Sequence, residues 1–296
     1  MKLLEVAKGV YCLLGGSNVG LIVQDRRAVA VDTGLDKDSA REVTLALGKL
    51  GARLEAMVIT HAHADHFGGA SYLARQTGAR VYASPLEAAT VSNPILEPLF
   101  LFSGAAPPAE LKHKFTLAKA CAVDGTLSVG NADLNGPSVD VLPLWGHAPG
   151  QIGLAYGDTL FCADAFFPAE VLDKYKLPFC FDLDAALETL SGLAALPYSR
   201  FVPGHGRPPQ DISALISLNR EALVRARELI LGFLRQPCQA QELLRDLARE
   251  LGIELRDVPG FYLLNTSVHA CLSSLCRLGL VKPHLVDNQL MWERLG

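Results

Sequence analysis

Residues 60–69, Thr-His-Ala-His-Ala-Asp-His-Phe-Gly-Gly, place three histidines and one aspartate within six positions. They follow an apolar run that predicts a buried strand. In an extended backbone, residues two apart project to the same side, so His61 and His63 can reach one cation. Asp65 and His66 lie where the chain turns into the next helix, so they can face a second cation close by. Because zinc prefers imidazole and carboxylate ligands, the segment predicts a metal site.

Three further segments carry ligand-type side chains directly after predicted strands. His147 lies in a Gly-His-Ala-Pro-Gly loop, Asp164 ends an apolar strand, and His205 lies in a Pro-Gly-His-Gly loop. Either histidine alone is more typical of a structural or surface residue. Together with the first segment, however, five of the eight histidines fall in such loops. This pattern predicts that one rim of a sheet gathers them into a single site.

The order of these motifs, His-x-His-x-Asp-His, Gly-His, a strand-end Asp and Pro-Gly-His-Gly, resembles the metallo-β-lactamase superfamily. The Ala-Val-Asp-Thr-Gly element at residues 30–34 matches an early motif of the same superfamily. The resemblance covers residues 1 to about 210. It implies an α/β (α+β) fold of the αββα type, in which two facing sheets carry the metals at one edge.

The resemblance also implies a role for each ligand. A first metal would be bound by His61, His63 and His147, a second by Asp65, His66 and His205, and both by Asp164. Asp32 would orient the ligand loop without touching a metal. An alternative, equally weighted interpretation is that Asp32 caps the turn that follows it.

The expected cofactor is a pair of zinc ions, although iron or manganese would also suit relatives of this kind. Relatives that reduce oxygen at a di-iron site have a carboxylate where this chain has His63, so the histidine favours zinc and hydrolysis. Two such ions would hold a bridging hydroxide by lowering the pKa of water towards about 7. Asp65 would orient that hydroxide or take its proton. The predicted activity is therefore that of a metallo-hydrolase.

The local form of the motifs is similar to the glyoxalase II-like and lactonase-like branch, which implies a small-molecule thioester or lactone substrate. Lys174 and Tyr175 follow Asp164 at the distance where such thioester hydrolases place substrate-binding residues, but a Lys-Tyr pair in a loop is more often plain surface. The irregular apolar segment 91–120 is read as an insertion. It either walls the substrate cleft or packs against the body or another subunit. Beyond it, Asp124-Gly125 is a candidate hairpin turn.

The main alternative is a metal-dependent endoribonuclease or phosphodiesterase, because ribonuclease Z-like and animal β-lactamase-like endoribonucleases resemble the same pattern. From residue 213 onward the chain has ten Lys or Arg against nine Asp or Glu, so no basic face is indicated. DNA binding is therefore not expected, and RNA binding is not favoured. A third hypothesis, a regulatory winged-helix protein with a vestigial metal domain, conflicts with the intact set of ligand types.

The predicted domains are a metal-binding catalytic domain at 1–210 and a small helical domain at 211–296. The boundary follows the Gly-Arg-Pro-Pro sequence at 206–209, which disfavours helix and sheet. Three helical runs and a hairpin at Asp287-Asn288 are typical of a winged-helix domain. That domain is expected to cover the mouth of the site or to form a homodimer.

Composition limits the protein's class. The 296-residue chain is 50% hydrophobic with a formal net charge of −4, so no membrane-surface or nucleic-acid partner is indicated overall. Its seven cysteines are scattered without a Cys-x-x-Cys pair, which favours reduced thiols. No signal peptide or membrane-spanning run is visible in the sequence. These features predict a cytoplasmic protein.

Overall fold

The computed structural model describes residues 1–296 and contains strands and helices throughout. The strands, in chain order, are β1 (Lys2–Ala7), β2 (Val10–Leu14), β3 (Val19–Gln24), β4 (Arg27–Val31), β5 (Arg53–Ile59), β6 (Arg80–Ala83), β7 (Gly125–Thr126), β8 (Gly130–Asp133), β9 (Ser138–Pro143), β10 (Ile152–Tyr156), β11 (Thr159–Ala163), β12 (Arg200–Pro203), β13 (Val281–Val286) and β14 (Gln289–Arg294). The helices are α1 (Lys37–Leu50), α2 (Ala64–Phe67), α3 (Ala70–Thr77), α4 (Pro85–Ser92), α5 (Leu96–Leu101), α6 (Ala169–Tyr175), α7 (Leu183–Leu193), α8 (Ser213–Phe233), α9 (Ala240–Leu251) and α10 (Val258–Arg277), with a 3₁₀ turn at Ala109–Leu111.

Two mixed sheets form the centre of the molecule. Strands β1 to β7 make one sheet in sequential order, and the other has the order β12-β11-β10-β9-β8. The first four strands of the first sheet are antiparallel neighbours, whereas β4 to β7 are parallel. In the second sheet, β12 is parallel to β11 and the other neighbours are antiparallel. Parallel neighbours need a crossover, which the helices between them supply.

The two sheets face each other across an apolar layer drawn from both, for example Val58 and Ile22 from the first sheet with Leu154 and Val141 from the second. Helices α1, α3 and α4 bury their apolar faces on the outer side of the first sheet. Helices α7, α8 and α10 share a core with the second sheet. This is the four-layer αββα arrangement, so the predicted fold class is confirmed.

The helical region after residue 210 contains α8, α9, α10 and the β13–β14 hairpin. Asp287 and Asn288 turn this hairpin with φ of 48° and 62°, as the sequence predicted. One continuous core joins the region to the second sheet, because Leu160 and Phe166 belong to the same buried cluster as Leu223 and Leu272. The division at 210 and the winged-helix assignment stay predictions. No helix in the chain combines the length and apolarity that crossing a bilayer requires.

The segment 91–120 contains only short helical pieces, as its prolines indicated. It includes α5 and the 3₁₀ turn, and the ring of Phe102 lies 5.6 Å from that of Tyr262 in α10. The insertion therefore contacts the C-terminal helices. The hairpin expected at Asp124-Gly125 is wrong. Asp124 instead donates its backbone N–H to the Val81 carbonyl and accepts from Val81 N at 2.8 Å, which fixes β7 beside β6.

The two sheets approach each other closely at Gly20 on β3. A Cβ atom there would collide with the ring of Phe161, which is 2% exposed and projects from β11. Only glycine leaves room for this ring. The two sheets can therefore come this close only because residue 20 has no side chain.

We expect Gly20→Ala to destabilise the protein by about 1–3 kcal/mol, because overpacking a close contact forces the Phe161 ring or the backbone to move. Gly48→Ala serves as the control. Gly48 is an exposed residue within α1, and an added Cβ there would meet nothing within 4 Å. It should stabilise the protein by about 0.5–1 kcal/mol. Calorimetric or urea unfolding of both variants checks the pair, and equal stability of the two would contradict the packing argument.

Candidate metal centre

The predicted ligand residues lie at the carboxyl ends of strands from both sheets. His61 and His63 follow β5, His147 follows β9, Asp164 follows β11, and His205 follows β12. The carboxyl ends of β4 and β5 meet at one edge because those strands are parallel, and β11 and β12 meet for the same reason. The two edges face each other. The structure thus brings all seven predicted ligand residues into one cluster.

A first group consists of His61, His63 and His147. One ring nitrogen from each lies within 4.8 Å of the others. Nδ1 of His63 and Nε2 of His147 are 2.9 Å apart. At this distance one of the two nitrogens must carry a proton, because two unprotonated nitrogens would direct their lone pairs at each other and repel. A cation bound by both nitrogens would remove that repulsion. The group is therefore suited to a divalent ion.

A second group consists of Asp65, His66 and His205, whose ligand atoms also lie within 4.8 Å of one another. Asp164 lies between the two groups. Its Oδ1 is 3.5 Å from His66 Nε2, while its Oδ2 is 3.5 Å from His147 Nε2 and 3.3 Å from His205 Nε2. One carboxylate therefore faces histidines of both groups, which is the position that a bridging ligand requires.

Three buried atoms in this cluster make no hydrogen bond of adequate geometry, namely His61 Nε2, His66 Nε2 and Asp164 Oδ1, the last two being 3.5 Å apart. An unpaired buried polar atom costs about 1–3 kcal/mol, so native proteins rarely leave several of them side by side. All three atoms are zinc-type donors and all three point into the cluster. The residues present therefore fit a divalent cation pair.

Partners outside the cluster fix the orientation of four histidine rings. The Nδ1 atom of His66 lies 2.8 Å from Asp32 Oδ2, that of His147 lies 3.1 Å from the Phe179 carbonyl, and that of His205 lies 2.7 Å from the Gly16 carbonyl. His61 Nδ1 lies 3.1 Å from Thr60 Oγ1. With Nδ1 as the donor in each ring, the Nε2 lone pair faces inward.

Asp32 lies beneath this cluster and is 3% exposed. Besides His66, its carboxylate accepts hydrogen bonds from the backbone N–H and the hydroxyl of Thr60, at 2.8 Å each. Asp32 also has a φ of 63°, a left-handed conformation that costs energy in a residue other than glycine. The next helix is capped by Asp36. The carboxylate of Asp32 is thus directed at the ligand loop, and its influence on metal binding stays a prediction.

Sequence reasoning missed the loop that supports His205. Asn18 donates from Nδ2 to the carbonyls of Pro203 and Gly206 at 2.9 and 2.6 Å, and its backbone N–H donates to the Gly204 carbonyl. Ser17 donates its hydroxyl to the backbone carbonyl of Asp65. These bonds join the β2–β3 loop of one sheet to the ligand loops. The Gly-Gly-Ser-Asn sequence at residues 15–18 is typical of a turn and by itself indicates nothing about this support.

Sequence reasoning also missed an aromatic wall formed by Phe167 and Phe179. Phe167 stacks on His205 at 5.9 Å between ring centroids, and Phe179 lies 5.3 Å from His63. Asn219 of α8, which is 2% exposed, bonds both the N–H and the carbonyl of Phe167. Ser267 of α10 accepts from the N–H of Cys180. The C-terminal helices thus hold the segments that carry the wall.

Burial and charge divide the histidines into two classes. Burial lowers the pKa of His61, His63 and His147, which favours their neutral, ligand form. For His66 and His205, burial lowers the pKa but neighbouring carboxylates, Asp164 first, outweigh it, so that the pKa of His66 lies well above its ordinary value and that of His205 is raised to about 9. Burial opposes ionisation of Asp164, yet the neighbouring His205 and His66 hold its pKa well below the usual range. The cluster therefore retains a carboxylate at its centre.

Lys174 and Tyr175 do not join this cluster. Both are exposed at the end of α6, where Lys174 Nζ donates to Tyr175 Oη at 2.9 Å and lies 4.6 Å from the centre of its ring. The two side chains therefore contact each other at the surface. A role in substrate binding stays a prediction.

We expect Asp32→Asn to weaken zinc binding about 10–100-fold, a typical loss when the partner of a ligand histidine is changed. The asparagine amide can direct an N–H at His66 Nδ1, which would move the ring proton to Nε2 and block the lone pair that faces the cluster. Competition with a chromophoric chelator measures the affinity. Asp38→Asn, at an exposed position of α1, is the control and should match the wild type. Unchanged affinity in Asp32→Asn would contradict the orienting role.

Several known proteins are similar to this chain in sequence. Residues 13–205 match the family model described as the metallo-beta-lactamase superfamily. A hydroxyacylglutathione hydrolase of Methylobacillus flagellatus is 28% identical over 215 residues, covering 71% of each chain. Those of Albidiferax ferrireducens and Dechloromonas aromatica are 36% and 28% identical, over 29% and 51% of this chain. These two matches span only 30% and 44% of the relatives' own lengths.

Two solved structures share the fold over nearly the whole chain. A beta-lactamase domain protein from Burkholderia ambifaria superposes with a TM-score of 0.79 at 19% identity, covering 99% of this chain and 94% of its own. A metallo-beta-lactamase family protein from Thermus thermophilus gives a TM-score of 0.74 at 21% identity, covering 98% and 100%. Both likenesses include the C-terminal helices. From the match over residues 13–205 and the shared fold, this chain belongs to the metallo-beta-lactamase superfamily.

Proposed function

We propose that the protein is a binuclear zinc hydrolase that cleaves a thioester or a related ester of a small molecule. One observation carries this proposal: two histidine groups face a single carboxylate, Asp164, and three of their buried ligand atoms lack any other partner. Such a set of donors suits two divalent ions held side by side. The proposed ligands are those that the sequence indicated, His61, His63 and His147 for one ion, Asp65, His66 and His205 for the other, and Asp164 for both.

When bound, divalent ions supply a water of lowered pKa and positive charge that stabilises a developing oxyanion. The chain's own residues direct that chemistry. Asp65 is the more exposed carboxylate, with 29% of its side chain accessible against 5% for Asp164. It therefore faces the open side of the cluster, where it would orient the attacking water and receive its proton. Phe167 and Phe179 pack against His205 and His63 and would keep bulk water from those rings.

The substrate assignment is supported by the three sequence relatives reported above, each of which is named a hydroxyacylglutathione hydrolase. A hydroxyacylglutathione is a thioester. The proposal therefore carries over to this chain the type of bond that is cleaved, but not the identity of the compound. The aromatic wall of Phe167 and Phe179 suits a substrate with an apolar part beside the scissile bond. A lactone would offer the same electrophilic carbonyl to the site.

The endoribonuclease alternative is a separate hypothesis, and it predicts cleavage of a different class of substrate in the assay. It requires a basic surface beside the metal centre, and the near balance of charges after residue 212 does not favour one. A regulator with a vestigial metal domain would not need its histidines oriented by four outside partners. The C-terminal helices, in our proposal, hold the aromatic wall of the site through Asn219 and Ser267. A homodimer and a cytoplasmic location stay predictions.

We expect His61→Ala to bind fewer than two zinc ions per chain and to lose at least 100-fold in thioester hydrolysis, because it removes a ligand atom that has no other role. Elemental analysis and an assay with S-lactoylglutathione measure these effects. His269→Ala, an exposed histidine of α10 outside the cluster, should retain both metal and activity. One iron per chain in the wild type, or no metal, would contradict the two-zinc site.

The same assay separates the alternatives when it includes a simple thioester, an acyl lactone, bis-p-nitrophenyl phosphate and single-stranded RNA. Turnover of the carbonyl substrates, lost in His61→Ala, supports the proposed reaction. Cleavage of the phosphodiester or the RNA with silent carbonyl substrates would instead favour the nuclease hypothesis.

If Lys174 binds the substrate, as the resemblance implies, Lys174→Ala should raise the KM for an acidic thioester about 1.4- to fivefold with little change in kcat, because an exposed ammonium contributes about 0.2–1 kcal/mol to binding a carboxylate. The effect should shrink as salt is added, since exposed charges are screened. Lys49→Ala, on the outer helix α1, is the matched control. Equal KM values in both variants and the wild type would remove Lys174 from the substrate site.

A further inference from the structure

A buried glutamate outside every sequence motif links two of the ligand loops. Glu87 lies in α4 and is only 4% exposed. Its Oε2 accepts a hydrogen bond from the backbone N–H of Ala62, and its Oε1 accepts one from the backbone N–H of Gly150, each at 2.7 Å. One carboxylate therefore spans two segments that are 88 residues apart in the sequence, at positions 62 and 150.

Both segments carry proposed ligands of the same ion. Ala62 lies between His61 and His63, and Gly150 follows His147 by three residues. The first segment belongs to the β5 end of one sheet and the second to the β9–β10 connection of the other. The 2.9 Å approach of His63 to His147 depends on how far apart these two loops are held. Glu87 accepts a hydrogen bond from each of these two loops.

The fit of α4 against the second loop leaves no spare room. A Cβ atom at Gly150 would lie 2.6 Å from Ser84 Oγ, 3.2 Å from Leu86 Cβ and 3.3 Å from Glu87 Oε1. Glycine is therefore required at this position by close approach, because a side chain would push the loop off the start of α4. The carboxylate and the glycine together define a short, rigid bridge from the helix to both loops.

We propose that Glu87 is a positioning residue of the metal centre, whose carboxylate fixes the separation of the His61–His63 and His147 loops and so the geometry of the first ion's ligands. The inference rests on the proposed two-metal function. It assigns Glu87 no contact with metal or substrate. Its effect passes through the backbone of Ala62 and Gly150.

A purely structural role would leave a different signature. If Glu87 only satisfied two buried N–H groups, its replacement would lower stability as any buried defect does, without a selective loss at the site of His63 and His147. Val91→Ala supplies that comparison. Val91 is 0% exposed in the same helix, so its truncation loosens α4 while keeping the carboxylate.

The experiment compares wild type, Glu87→Gln, Glu87→Ala and Val91→Ala as full-length proteins. Zinc affinity is measured by competition with a chromophoric chelator, the cobalt-substituted proteins are examined by visible absorption, and the metal-free proteins are melted. Glutamine keeps the side chain's size but offers one acceptor oxygen, its amide nitrogen then facing a backbone N–H. We expect both Glu87 variants to bind one of two zinc ions at least tenfold more weakly and to show an altered cobalt spectrum.

In Val91→Ala we expect a lower melting temperature with zinc affinity and cobalt spectrum close to those of the wild type. Glu87 variants that bind both ions as the wild type does would overturn the positioning role, as would a Val91→Ala variant that loses affinity to the same extent. Glu87→Gln decides the question if Glu87→Ala does not fold. A wild-type protein that binds no pair of divalent ions would overturn the proposed function itself, so the two failures are distinguishable.

Discussion

The rest of the structure is organised around a set of buried ligand atoms that are turned towards each other. This arrangement is unfavourable by itself, and a bound cation would relieve it. His61 Nε2, His66 Nε2 and Asp164 Oδ1 make no hydrogen bond of adequate geometry, while outside partners direct the ring protons away from the cluster. Leaving several such atoms unpaired costs several kcal/mol in total, at about 1–3 kcal/mol each. The structure around the site holds that arrangement in place against this cost. It does so with rigid strand ends and with hydrogen bonds that approach from outside the cluster.

Those bonds connect parts of the chain that are distant in sequence. Asn18 joins the β2–β3 loop to the loop of His205, and Asp32 joins β4 to the ligand helix. Glu87 joins a loop of the first sheet to a loop of the second. Each of the three is a buried polar side chain that hydrogen-bonds a backbone group or a histidine ring. Because Asn18 and Glu87 join loops of different sheets, the relative position of the two sheets is part of the site's geometry.

The C-terminal helices are continuous with this framework. Their apolar faces share one core with the second sheet, and Asn219 bonds both backbone groups of Phe167. The insertion at 91–120 reaches the same helices through Phe102 and Tyr262. The second sheet, the 91–120 segment and the segment of Phe167 thus all contact the C-terminal helices. A displacement of α8 or α10 would move Phe167 and Phe179 and so the histidine rings that they contact, because close-packed interiors transmit displacement.

The order of the ligand-type motifs, which is readable from the sequence by itself, carries the resemblance to the metallo-β-lactamase superfamily, and that resemblance implied both the fold class and the grouping of the ligand-type residues. The hairpin at Asp287-Asn288 followed from turn chemistry, which is also a local property of the sequence. Tertiary structure alone decided the rest. Asp124-Gly125 has the local sequence of a hairpin turn, yet pairing with β6 makes it part of a sheet edge. Nothing around Glu87 marked its role, since its two partners at positions 62 and 150 become neighbours only when the two sheets face each other.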